Sequence, residues 1–202
     1  MKLFVALAAV SALALAAPAT AATTIITPTS QPAGTFFVVG GNIFSGPITA
    51  AFGHAGIPAG SFTDLFQFTI PQSGTGSGSI TTGTTTFMGV TDLDILSVLV
   101  NGFGATATFR DINGVTCTTR GVGTCGADET FAINSVPITF GALNTITVTG
   151  TSRGNGSFGG NATFTPGVPE PGTWGMMLLG FGAVGFGMRR TRKTTARAMQ
   201  AA

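Results

Sequence analysis

What most constrains this chain is the texture of residues 33–165. Short runs of Thr, Phe, Val and Ile are separated there by Gly, Asn, Pro and Ser, and little helical periodicity appears. Runs of this kind predict strands joined by tight turns. Strands are predicted near Thr35–Val39, Phe62–Ile70, Gly78–Phe87, Ile95–Val100, Ala105–Asp111, Val115–Thr118, Thr130–Ile133, Thr145–Thr151 and Gly156–Thr165. A spacing of about 8–12 residues predicts an all-β domain, an antiparallel β-sandwich or jelly-roll-like fold. Ser73-Gly74-Thr75-Gly76-Ser77-Gly78 reads as a flexible hairpin or loop, and Asn101-Gly102 and Asn113-Gly114 as turn dipeptides of the type I′ kind. Along Asn144–Thr151, Ile146 and Val148 point one way and Thr145, Thr147 and Thr149 the other. With seventeen Phe and no Tyr, Phe must supply most of the large core volume.

Charge narrows the function. Charged residues make up only 8% of the chain, against about 25% in an ordinary soluble domain. Between residues 23 and 168 the basic residues are Arg110, Arg120 and Arg153, with no Lys. Six acids (Asp64, Asp92, Asp94, Asp111, Asp128 and Glu129) leave that span at −3. Nucleic-acid binding needs clustered cations, so no nucleic-acid partner is expected.

The two ends read as addresses. Lys2, the apolar run Leu3–Ala17, Pro18 and the small-x-small site Ala19-Thr20-Ala21 have the layout of a secretory signal peptide spanning residues 1–22. Cleavage there leaves a Thr/Pro-rich start from Thr23 to Pro32 and a secreted domain over 23–166. At the other end, Pro169-Glu170-Pro171 precedes a mostly apolar run from Trp174 to Met188, followed by Arg189-Arg190-Thr191-Arg192-Lys193. Fifteen helical residues at ~1.5 Å each reach roughly 22 Å, short of a ~30 Å hydrocarbon core. A short C-terminal transmembrane helix is expected, with Trp174 at one interface and the arginines at the other. Residues 194–202 would form a basic cytoplasmic tail, by the preference of basic flanks for that side.

This three-part order, from Val168-Pro169-Glu170-Pro171-Gly172-Thr173-Trp174-Gly175 to the Arg cluster, resembles the PEP-CTERM sorting tag over residues 167–193. It is most similar to the variant written P-E-P-x-x-W-A, with Gly175 where that variant usually has Ala. The tag is sometimes labelled an ice-binding protein C-terminal domain, a label that carries no evidence of ice binding. The resemblance implies export, a transient hold in the bacterial inner membrane, and processing by an exosortase. Pro169, Glu170, Pro171, Trp174, Arg189 and Arg190 are then the sorting residues. The partners would be exosortase, the general export machinery and the inner membrane before processing, with exopolysaccharide a further candidate. An anchor that is never cut is the plainer alternative.

Within the β domain, Cys117 and Cys125 flank Thr118-Thr119-Arg120-Gly121-Val122-Gly123-Thr124. In an exported chain this pair reads as a disulfide closing a Gly-rich loop. A redox pair lacks the C-x-x-C spacing, and a metal site lacks further ligands, so no metal or cofactor is expected. In a strand, Phe62, Asp64, Phe66, Phe68 and Ile70 share one face. Asp64 therefore sits among large apolar side chains and needs a partner: backbone N–H groups, Arg110, Arg153 or a bound Ca²⁺. The spelling Phe62-x-Asp64-x-Phe66 also resembles a family of PEP-CTERM proteins known by the pattern F-x-D-x-F.

Enzyme chemistry finds little footing. Asp92 and Asp94 share a face if extended, yet the domain has no Trp or Tyr platform for sugars. His54 lies in the Gly-rich stretch Phe52-Gly53-His54-Ala55-Gly56 and is expected exposed or capping, and no Ser has a nucleophile-elbow context. The expected function is a non-catalytic, sorted cell-envelope or extracellular-matrix protein on the periplasmic face, cell surface or matrix, associated with exopolysaccharide or biofilm. The alternative is a glycan- or calcium-binding module built on Asp64, Asp92, Asp94 and Asp128. An enzyme such as a glycosidase comes third.

Overall fold

The computed structural model describes residues 21–42, 46–83, 87–167 and 171–199. Of the expected leader, residues 1–22, all but the last two lie outside the described residues, and Ala22 already opens the first strand. Among the described residues twelve strands run in the order β1 (Ala22–Ile26), β2 (Thr35–Gly40), β3 (Ile48–Ile57), β4 (Gly60–Thr69), β5 (Gly74–Gly83), β6 (Leu93–Val100), β7 (Phe103–Gly104), β8 (Thr106–Arg110), β9 (Thr116–Cys117), β10 (Asp128–Ile138), β11 (Leu143–Ser152) and β12 (Gly156–Pro166). One helix follows, α1 (Pro171–Met199).

The strands form two sheets. The first has the order β1-β4-β11-β6-β7, the second β2-β3-β12-β5-β10-β8-β9. Pairing is antiparallel except at one edge, where β1 runs parallel to β4 with Ala22 opposite Phe62 and Ile26 opposite Phe66. The first sheet is therefore mixed. The segment read as a Thr/Pro-rich start is a strand, because Ile26 has a place in the core and is fully buried.

The sheets meet through one continuous apolar layer. Phe62, Phe66, Ile95, Val98, Ile146 and Val148 come from the first sheet, and Phe37, Phe52, Ile57, Ile80, Phe131 and Phe158 from the second. Phe does supply the bulk. Phe52 and Phe66 lie 4.9 Å apart, centre to centre, and Phe37 meets Phe66 edge-on at 5.8 Å. Such ring pairs each add about 0.5–1.5 kcal/mol beyond the area they bury.

Two segments read as loops are strands. β3 carries Phe52-Gly53-His54-Ala55-Gly56, and β5 begins at Gly74. Glycine marks close approach in β3. A Cβ on Gly53 would lie 2.5 Å from the Phe158 carbonyl oxygen and 2.7 Å from the Phe36 ring. Of the two turn dipeptides, Asn101 (φ 50°) and Gly102 (φ 85°) make the expected type I′ turn. Asn113-Gly114 does not. There only Gly114 is left-handed, and Asp111 pairs with Val115 around a three-residue loop.

The two ends of the stack differ. At one end, buried polar links cross between the sheets. Glu129 of β10 accepts a hydrogen bond from the Ile95 N–H of β6 at 2.7 Å, and Ser152 of β11 donates to the Ile57 carbonyl of β3 at 2.8 Å. At the other end Ile70, Ile138 and Phe164 form a separate apolar cluster. A cavity of about 470 Å³ opens there between the sheets. Its floor is a row of small residues, since Ala50 of β3, Ala162 of β12 and Gly78 of β5 are cross-strand neighbours. Phe68, Val98, Val100 and Ile146 of the first sheet face this row.

Candidate functional site

The sorting residues come first, since they carry the strongest sequence signal. Pro169 and Glu170 lie outside the described residues. Pro171 opens α1. The first helical position suits proline, whose missing N–H would have no intrahelical acceptor there. Trp174 and Arg189 are exposed, and Arg190 lies within the same helix. The helix does not stop at Met188 but runs through the basic cluster to Met199. The expected short span and separate tail are therefore one helical rod. Its apolar stretch from Trp174 to Met188 carries Gly175, Gly180, Gly182, Gly185 and Gly187, which dilute its hydrophobicity. Among the described residues no helix is long and apolar enough to cross a membrane.

In β4 the inner face is the one alternation predicts. Phe62, Asp64 and Phe66 are buried, as is Ile70 just past the strand's end, and Phe68 is half-buried. The partner of Asp64 is neither arginine considered for it. His54 Nδ1 lies 2.8 Å from Asp64 Oδ2, so this pair joins β3 of one sheet to β4 of the other. His54 is 13% exposed, not the open or capping residue expected. It was missed because its strand was missed. Arg153 instead donates through Nε to Asp92 Oδ2 at 3.1 Å, and the Met88 N–H donates to the same oxygen at 2.8 Å.

Cys117 and Cys125 come together, with sulfurs 2.01 Å apart and Cα atoms 6.1 Å apart. The loop they close does more than turn. It folds Arg120 back over the Phe109 ring, 4.9 Å from its centre, and brings Arg120 Nε within 2.6 Å of Glu129 Oε1. An Arg120 terminal nitrogen also donates to the Ile95 carbonyl. Glu129 is fully buried. Burial pushes its carboxyl up to about 7, against the opposing pull of the Ile95 N–H and the Arg120 charge. Sequence reasoning passed over Glu129, yet it stands two residues before Phe131. The alternation applied to Asp64 would have turned it inward as well.

The acids considered for calcium are dispersed. Asp64 faces His54, Asp92 faces Arg153, and Asp94 Oδ2 lies 4.0 Å from an Arg153 terminal nitrogen. Among the described residues no three His, Cys, Asp or Glu side chains converge as a metal ion would need.

A family model described as the PEP-CTERM protein-sorting motif matches residues 167–193. No curated protein matches the chain. A solved structure described as "Crystal structure of Agl-KA catalytic domain" is similar over 69% of this chain and 28% of that one, at 14% identity and a TM-score of 0.28. The chain carries a PEP-CTERM sorting signal, the mark of an exported protein handled by exosortase and held transiently at the membrane through its C-terminal tag.

Proposed function

We propose that this chain is a non-catalytic cell-envelope or extracellular-matrix protein. Its β domain is exported through an N-terminal leader, held by α1 and released by a cut near Pro169-Glu170-Pro171. The observation that carries this reading is the sorting motif at 167–193, in which the proline pair, the apolar helix and the basic cluster follow in order. The physics of α1 fits a temporary hold. Its apolar stretch, roughly 22 Å long at ~1.5 Å per residue, is too short for a permanent span. The basic cluster costs several kcal/mol to drag through hydrocarbon and so halts export. Each buried acid faces a basic side chain of the fold, Asp64 facing His54, Asp92 facing Arg153 and Glu129 facing Arg120, which supports a structural role for them. The matrix setting and an exopolysaccharide partner rest on the resemblance of the tag. A calcium-dependent module gains nothing from acids that already face His54 and Arg153.

The test is the mass of the protein recovered from its native host with and without exosortase. Replacing Pro169, Glu170 and Pro171 together with alanine should leave export intact and abolish processing. If the mature protein of the exosortase-positive strain still carries Trp174 to Ala202, α1 is only an anchor and the sorting reading fails.

A further inference from the structure

We propose that the cavity between the sheets holds a neutral single-chain lipid, taken up from the membrane surface at which α1 is held. Three observations carry this, and the third, the membrane position of α1, rests on the sorting reading.

The first is the construction of the space. Its floor is the row Ala50–Ala162–Gly78, where larger side chains would close it, and its roof is Phe68 and Ile146. Ligand pockets usually fall between roughly 300 and 1,000 Å³, and this one is about 470 Å³. An apolar cavity of about 150 Å³ stays dry and takes up one benzene ring. Three times that volume suits an alkyl chain.

The second is charge. Among the described residues no Lys, Arg, His, Asp or Glu lines the cavity, and its polar contributors are hydroxyls and amides such as Thr27, Thr29, Gln67 and Thr69. Burying a carboxylate with no cation beside it is expensive. The chemistry therefore fits a long-chain alcohol or ester and disfavours a free fatty acid.

The third is position. Ile70 and Phe164 line the cavity at the end where β12 stops, and the Gly167 N–H is bonded to the Ser73 carbonyl there. From Pro166 to Pro171, where α1 begins, the chain spans at most roughly 18 Å. The cavity thus lies at the domain end tethered to the apolar helix.

The experiment uses the full chain in washed membranes from a host lacking exosortase, so that the tag stays intact whatever becomes of the sorting reading. A hexadecanol bearing a mid-chain diazirine is added and photolysed, and labelled peptic peptides are mapped. Label is expected on β3, β5, β12 and around Phe68, in addition to any on α1. Unlabelled hexadecanol should displace the domain label at least tenfold more effectively than palmitate. The variant Ala50→Leu/Ala162→Leu should cut domain labelling about tenfold and leave labelling of α1 unchanged. Should the double variant become protease-sensitive, the milder Ala162→Val must still lower the domain label. Label confined to residues 171–199, domain label indifferent to Ala162→Val, or displacement by palmitate as effective as by hexadecanol would each overturn the proposal.

Discussion

Asp64 and His54 bind the two sheets at a point where neither can be replaced symmetrically. Asp64 is fully buried among Phe62, Phe66 and Phe158, and His54 is its partner on the opposite sheet. Removing one member of a buried pair costs far more than the pair itself contributes. His54→Ala should therefore destabilise the domain by about 3–5 kcal/mol. Asp64→Asn, which keeps an acceptor and strands no charge, should cost about 1 kcal/mol. Urea midpoints at constant slope measure both, and the reverse order would mean that the pair is not the link. Glu129 makes a prediction in pH. Its carboxyl titrates near 4.5 when unperturbed and near 7 in the fold, so between those values the folded state binds the extra proton. The stability that Glu129 contributes is then fully present below about pH 4.5 and is lost as pH rises through about 7, by roughly 3 kcal/mol for a shift of this size. Glu129→Gln should flatten that dependence in denaturation series between pH 5 and 8. A slope unchanged in Glu129→Gln would assign the proton elsewhere.

The loop closed by Cys117 and Cys125 is the element that brings Arg120 to Glu129. The chain-entropy view gives about 2.5 kcal/mol for so small a loop. Cys117→Ser/Cys125→Ser should lose at least that, because the Arg120 contacts loosen with it. Non-reducing mass spectrometry of the exported protein should show the two cysteines linked, and two free thiols would contradict the bond. β4, β11 and β12 were legible because large apolar residues recur at even spacing with mostly Thr, Gln or Asn between them: Phe62, Phe66 and Phe68, Ile146 and Val148, Phe158 and Phe164. β3 and the first half of β5 were not. Ala50, Gly53, Ala55, Gly74, Gly76 and Gly78 bear no side chain that reports a face, and a strand without such a pattern reads as a loop. That failure hid the candidate cavity too, since its floor is built from those small residues. It also hid the partner of Asp64: the alternation in β4 showed that the acid turned inward, while His54 stood on an unrecognised strand. β1 was missed for another reason. Its parallel pairing to β4 is a tertiary arrangement that no local pattern announces.

At the scale of the molecule, the proposed sorting route makes the basic cluster of α1 the stop. Neutralising Arg189, Arg190, Arg192 and Lys193 together should let the full-length chain slip into the periplasm, read as loss of membrane-bound protein on fractionation. Continued retention would place the stop in the apolar stretch alone. The parallel edge strand has a directional consequence. Because β1 runs with β4, Ala22 stands beside Phe62, while β4 itself ends near Ile70 at the side where the chain departs for α1. Eight strand steps at ~3.3 Å separate those levels by roughly 26 Å. The first and last residues of the β domain therefore point to opposite poles. If the chain is fastened by its C-terminus as proposed, Ala22 lies at the end of the domain away from that attachment, beside the polar stitches. On that proposal, an epitope placed just before Ala22 should be open to antibody on cells that hold the chain by α1.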